Sequence, residues 1–138
     1  MSEKTPIGAH EAWYEPDSGF VHKVIRGTMN ADEVRQLTAF VLKFANDGAV
    51  YCLINYRESK GLTKEARKVT AEIGAASILQ NYCAIFGASF AVRTILNLVL
   101  KTTEIAQGKP FPVRFTADES EAREWLSERK RAHDARTR

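Results

Sequence analysis

The chain has 138 residues, enough for one domain and too few for two domains with adequate cores. Apolar residues make up 44% and charged residues 27%, which excludes a disordered tail, a collagen-like repeat and a disulfide-rich miniprotein. Net charge is +3, but residues 129–138 hold Arg129, Lys130, Arg131, Arg136 and Arg138 against Asp134, a local +4, so the rest is near neutral at −1. No aromatic residue interleaves that basic tail, which predicts a solvated helix end and no nucleic-acid partner. No uncharged apolar stretch reaches the roughly 18 residues of a membrane span. Met1 to Pro6 carries no apolar signal core. Cys52 and Cys83 each lie in an apolar run and read as buried thiols in a reducing compartment. The expectation is a cytoplasmic protein with a flexible N-terminus over 1–10, one domain over 11–128 and a basic tail over 129–138.

In chain order, Glu11–Glu15 is a short extended run, and Pro16-Asp17-Ser18-Gly19 has turn chemistry. Phe20–Arg26 is a second strand, so the pair predicts a hairpin. Asn30 with Glu33 forms a capping box for a helix carrying Val34, Leu37, Val41 and Phe44, stopped by Gly48. Val50–Ile54 is a continuous apolar run, as a strand of a parallel sheet requires. Asn55 to Gly61 reads as a polar loop. Thr63 caps a second helix with Ala66, Val69, Ile73 and Ala76 inside and the small residues Gly74-Ala75-Ala76 near its end. Residues 78–81 fit either the helix end or a connection. Tyr82–Phe86 is another strand, followed by Gly87-Ala88-Ser89. Ser89 caps a third helix to about Gln107. Phe111–Thr116 is the last strand, and Asp118 starts a fourth helix with Ala122, Trp125 and Leu126 inside.

Strands alternating with helices predict parallel pairing through right-handed crossovers. The expected fold is α/β: a mixed five-stranded sheet, antiparallel at its N-terminal hairpin and parallel elsewhere, with four helices mainly on one face.

The hairpin, the strand–helix units, the segment Leu53-Ile54-Asn55-Tyr56-Arg57-Glu58-Ser59-Lys60-Gly61-Leu62 and the ending Pro112-Val113-Arg114-Phe115-Thr116-Ala117 with Glu121-Ala122-Arg123-Glu124-Trp125-Leu126 resemble the STAS/SpoIIAA-like superfamily, over about residues 11–127. The likeness is nearest to its bacterial STAS/SEC14-domain branch. It implies a non-enzymatic regulatory module that docks on a protein partner, either a kinase or anti-sigma-like protein or a second copy as a homodimer. In the family's anti-sigma-factor antagonists a serine at a helix start, in a motif close to Asp-Ser-Ser-Gly-Leu, is phosphorylated. The matching stretch here is Glu58-Ser59-Lys60-Gly61-Leu62, in which Lys60 replaces the second serine. The SEC14-like branch implies the alternative, a lipid or small apolar ligand held beneath the second and third helices, where Gly74 and Ala75 leave room.

Parallel strands gather their βα loops at one sheet edge. Tyr56, Arg57, Ser59 and Thr63 are therefore candidates for partner docking, with Ser59 or Thr63 as phosphoacceptor. Gly87, Ser89 and Thr116 are candidates for an anion or ligand edge, because helix N-termini favour anions. For Thr63 and Ser89, plain capping explains the same residues. The third helix is apolar well beyond one stripe, which marks Phe90, Ile95, Leu98 and Val99 as an oligomer or apolar-ligand surface, or else as core. His10, His22 and His133 are far apart and show no metal spacing. No phosphate loop, nucleophile elbow or dinucleotide fingerprint is present. No cofactor and no metal are expected.

Overall fold

The computed structural model describes residues 3–77, 79–108 and 112–137. Its elements run β1 (Thr5–Ile7), β2 (His10–Glu15), β3 (Phe20–Met29), α1 (Ala31–Leu42), β4 (Ala49–Leu62), α2 (Lys64–Ala76), β5 (Gln80–Phe86), α3 (Phe90–Gln107), β6 (Val113–Thr116) and α4 (Glu119–Thr137). The expected readings at Ile78 and Phe111, and of the Ala75 side chain, lie outside the described residues.

Among the described residues the sheet has six strands, not five, in the order β1-β2-β3-β4-β5-β6. The added strand comes from Thr5–Ile7, inside the segment expected to be flexible. It pairs antiparallel with β2, Thr5 opposite Ala12 and Ile7 opposite His10, and buries Ile7. A three-residue strand has no periodicity to betray it in a sequence. His10 locks this corner. Its Nδ1 accepts from the Arg26 N–H at 3.0 Å, leaving Nε2–H to donate to Glu33 Oε1 at 3.2 Å. Glu33 also completes the capping box, since its carboxylate accepts from Asn30 N–H while Asn30 Oδ1 accepts from Glu33 N–H.

The stretch Asn55–Gly61, expected as a loop, is the second half of β4. It pairs in parallel with β3, Arg26 opposite Glu58 and Gly27 opposite Ser59, after register shifts that place extra β4 residues against β3. Those bulges break the alternation that would have revealed a strand. β3, β4, β5 and β6 run parallel throughout.

The strands advance one place at a time, so three crossovers of one hand put α1, α2 and α3 on the same face. Val34, Leu37, Ala66, Val69, Val92, Leu96 and Val99 pack there against Val21, Ile25, Cys52, Ile54 and Ile85. α4 is the exception to the expected one-sided arrangement. It follows the last strand, so no crossover constrains it, and it covers the opposite face, where Ala122 and Leu126 pack on Phe20, Tyr51, Leu53, Tyr82 and Phe86.

Polar contacts clamp α4 to that face. Arg123 donates to both oxygens of Glu15 at 2.9 and 3.3 Å, and Lys130 donates to Ser18 O at 3.0 Å. Glu15 also accepts from Ser18 Oγ. Arg123 and then Ser18 hold the Glu15 carboxyl down at about 2. Buried His22 stacks on Trp13 at 4.7 Å and places Nε2 3.3 Å from Glu15 Oε1, a contact without hydrogen-bond alignment. Residues 129–137 of the predicted basic tail form the docked C-terminal half of α4. His133 is buried, with Nε2 2.9 Å from Asp47 O, and Arg136 donates to Tyr82 Oη at 3.2 Å.

Candidate functional site

Between the sheet and α1, α2 and α3 lies a cavity of about 550 Å³. Its floor is the sheet face carrying Ile25, Ile54, Cys83 and Ile85, and its roof is Leu37 and Val41 of α1, Ile73 of α2, and Leu96 and Val99 of α3. Helical spacing puts each roof residue on the inner stripe of its helix. α2 contributes to the space by what it lacks, because buried Gly74 borders the cavity and carries no side chain. Leu42 and Ala76, at the C-terminal ends of α1 and α2, line the cavity and are exposed, which puts that end at the surface.

Most polar groups in the wall are already engaged. Thr38 Oγ1 donates to Val34 O and Thr70 Oγ1 to Ala66 O, each at 2.8 Å within its own helix. Asn81 Oδ1 accepts from the Cys52 thiol at 3.4 Å and the Cys83 thiol at 3.3 Å. Those cysteines face each other in register across β4 and β5. Mutual interaction of the two sulfurs lowers Cys52 and raises Cys83, and burial raises Cys83 further. Burial also pushes the Tyr56 phenol well up, so it stays a donor at ordinary pH. Among the described residues, the lining holds no aspartate or glutamate and one charged side chain, Lys23.

The residues singled out from sequence fall into separate places. Tyr56 is in the cavity wall. Its neighbour Arg57 is exposed on the other side of β4, with its guanidinium 5.1 Å from the centre of the Phe86 ring. Gly87, at φ +80°, lies against Arg57, whose Cγ a Cβ at this position would meet. Ser59 is half-buried within β4, not at a helix start, and its Oγ accepts from Gly61 N–H at 3.0 Å. Thr63 and Ser89 cap α2 and α3, accepting from Ala66 N–H at 3.0 Å and Val92 N–H at 3.2 Å. Thr116 Oγ1 donates to Ile85 O at 3.2 Å. The edge therefore unites Arg57 with Gly87, while the Ser59, Thr63 and Ser89 hydroxyls serve their own backbone turns and that of Thr116 ties β6 to β5.

On α3, Val99 is buried and lines the cavity. Ile95 is half-buried beside Gly61. Phe90, Leu98 and Ile105 are 87%, 60% and 76% exposed, which separates an outer apolar surface from the inner stripe. Sequence reasoning missed Lys23 and Asn81. A signal was there for Lys23: it occupies the inward position between Val21 and Ile25, where alternation calls for an apolar residue.

Among the described residues no helix is long and apolar enough to cross a membrane, and no group of three His, Cys, Asp or Glu side chains could hold a metal.

The fold is SpoIIAA-like. An uncharacterized protein of the DUF3478 family from Shewanella loihica PV-4, with a SpoIIAA-like fold, superposes with a TM-score of 0.53 at 18% identity, over 91% of this chain and 92% of that one. The anti-sigma factor antagonist SpoIIAA in its unphosphorylated form matches with a TM-score of 0.46 at 11% identity, over 91% of this chain and 97% of that one. No curated protein matches the chain. Residues 19–130 match a family described as a domain of unknown function, DUF7793. That match takes in most of the chain, from β3 to the middle of α4, and the chain belongs to this family.

Proposed function

We propose that the chain is a STAS-type module that binds a small apolar molecule between its sheet and α1–α3, and that it acts by contact and not by bond-making. The cavity carries this reading. Its volume of about 550 Å³ sits within the roughly 300–1,000 Å³ of small-molecule sites. Apolar contacts along such a wall are the gain that must offset the cost of association. The apolar wall selects the class of occupant.

The test is titration with N-phenyl-1-naphthylamine, an uncharged apolar fluorophore. Saturable fluorescence enhancement near one probe per chain is expected, with affinity reduced at least about tenfold in Val99→Trp, whose indole fills the roof. Circular dichroism confirms that the variant is folded. Equal binding by both proteins, or no enhancement with the unaltered chain, overturns the reading.

A second reading, protein docking, is favoured by the outer apolar surface of α3. Leu98 and Ile105, seven residues apart, share one stripe, and Phe90 flanks it. The two readings meet in one helix, since α3 presents Leu96 and Val99 to the cavity and Leu98 outward. In the docking reading Ser59 is the hydroxyl for control by phosphorylation, because about two negative charges there would replace the acceptor that holds Gly61 N–H.

A further inference from the structure

The cavity floor contains one residue that an apolar ligand does not explain. Lys23 lies in a row that crosses five strands: Ala12, Lys23, Ile54, Ile85 and Phe115 are successive register partners. The other four belong to or pack against the core on the α1–α3 side. Strand geometry puts side chains of register partners on the same face, so Lys23 projects into the cavity it lines. Its positive charge acts on both buried thiols of that face, favouring their ionised forms. Lys23 is half-buried, its ammonium has no hydrogen-bond or ion-pair partner among the described residues, and no carboxylate lines the cavity. Ammonium groups at the edge of an apolar interior ordinarily find an anion or reach water. Tyr56 adds a second donor to the same wall.

From this juxtaposition we infer that the ligand is an anionic amphiphile, a long-chain carboxylate whose head group meets Lys23 and whose chain lies between the sheet and Leu37, Leu96 and Val99. This rests on the cavity-binding reading and adds the chemistry of the head group. A carboxylate satisfies the ammonium by a charge-assisted hydrogen bond, while the hydrocarbon chain takes the place of water along the roof. A neutral chain of equal length gains the second term only.

The experiment compares dodecanoate with dodecanol, below their aggregation concentrations, by isothermal titration into the full chain and into Lys23→Met and Lys23→Arg. The unaltered chain is expected to prefer dodecanoate by about tenfold or more. Lys23→Met should abolish the preference while still binding dodecanol, and Lys23→Arg should keep it. Equal affinities for the two probes in the unaltered chain, or a preference that survives in Lys23→Met, overturns the head-group inference and leaves the apolar site standing. If neither probe binds the unaltered chain, the cavity-binding reading falls and this inference falls with it.

Discussion

Glu15 ties stability to acid pH. Arg123 and Ser18 hold its carboxyl at about 2 against an ordinary 4.5. A carboxylate depressed in the folded state stabilises above its unfolded pKa and loses that contribution as pH falls through the folded one. The loss therefore runs from about 4.5 down to about 2. His22 adds to the acid side in the same direction but from a higher starting point. Burial lowers its pKa from 6.5, outweighing the pull of Glu15, so the unfolded chain takes up the proton first and stability falls as pH drops below that value. Melting temperature measured from pH 7 to 3 is expected to decline in two stages. Arg123→Ala should flatten the lower stage and cost about 0.5–1 kcal/mol at neutral pH, since the pair is partly solvated. An unchanged acid profile in Arg123→Ala would show that Glu15 is not held by this guanidinium. The Glu15–Arg123 pair was not legible in the sequence, because positions 15 and 123 meet only after the sheet has formed.

α4 shows how an element can be found and still be misplaced. Asp118, the start of the helix, was legible from its capping chemistry, and Asp118 Oδ1 accepts from Glu121 N–H at 2.9 Å. The inner residues Ala122 and Leu126 were legible too. The face they cover was not, because the rule that fixes helices to one side governs crossovers and α4 crosses to nothing. Its docking rests on a narrow apolar stripe with ion pairs beside it. Leu126→Ala should therefore cost about 2–5 kcal/mol in urea unfolding, as expected for a fully buried leucine. A cost under about 1 kcal/mol would mean that the helix contributes little to the fold. β4 gave the opposite difficulty. Val50–Ile54 announced a strand, but the bulged half that follows reads as polar loop, with Arg57, Glu58 and Lys60 exposed.

At the scale of the whole molecule, the order of strands and helices from residue 10 onward was legible because hydrophobic periodicity and cap residues agree at nearly every boundary. The cavity was anticipated in place, beneath α2 and α3, through Gly74. Its charged residue was not, since a lysine in a strand reads as solvent-facing until the register is known. The exposed surface of α3 points outward from the same layer. If a second copy covers it, sedimentation should give twice the 15.5 kDa chain mass, and Leu98→Glu with Ile105→Glu should return the mass to that of one chain. A single-chain mass for the unaltered protein would rule out self-docking. The two-sided burial of the sheet also bears on folding. α4 follows all six strands in the chain, so the sheet face carrying Phe20, Tyr51, Leu53, Tyr82 and Phe86 stays bare until that helix docks. The interval before that docking is when the polypeptide is most open to chaperones and to its own kind.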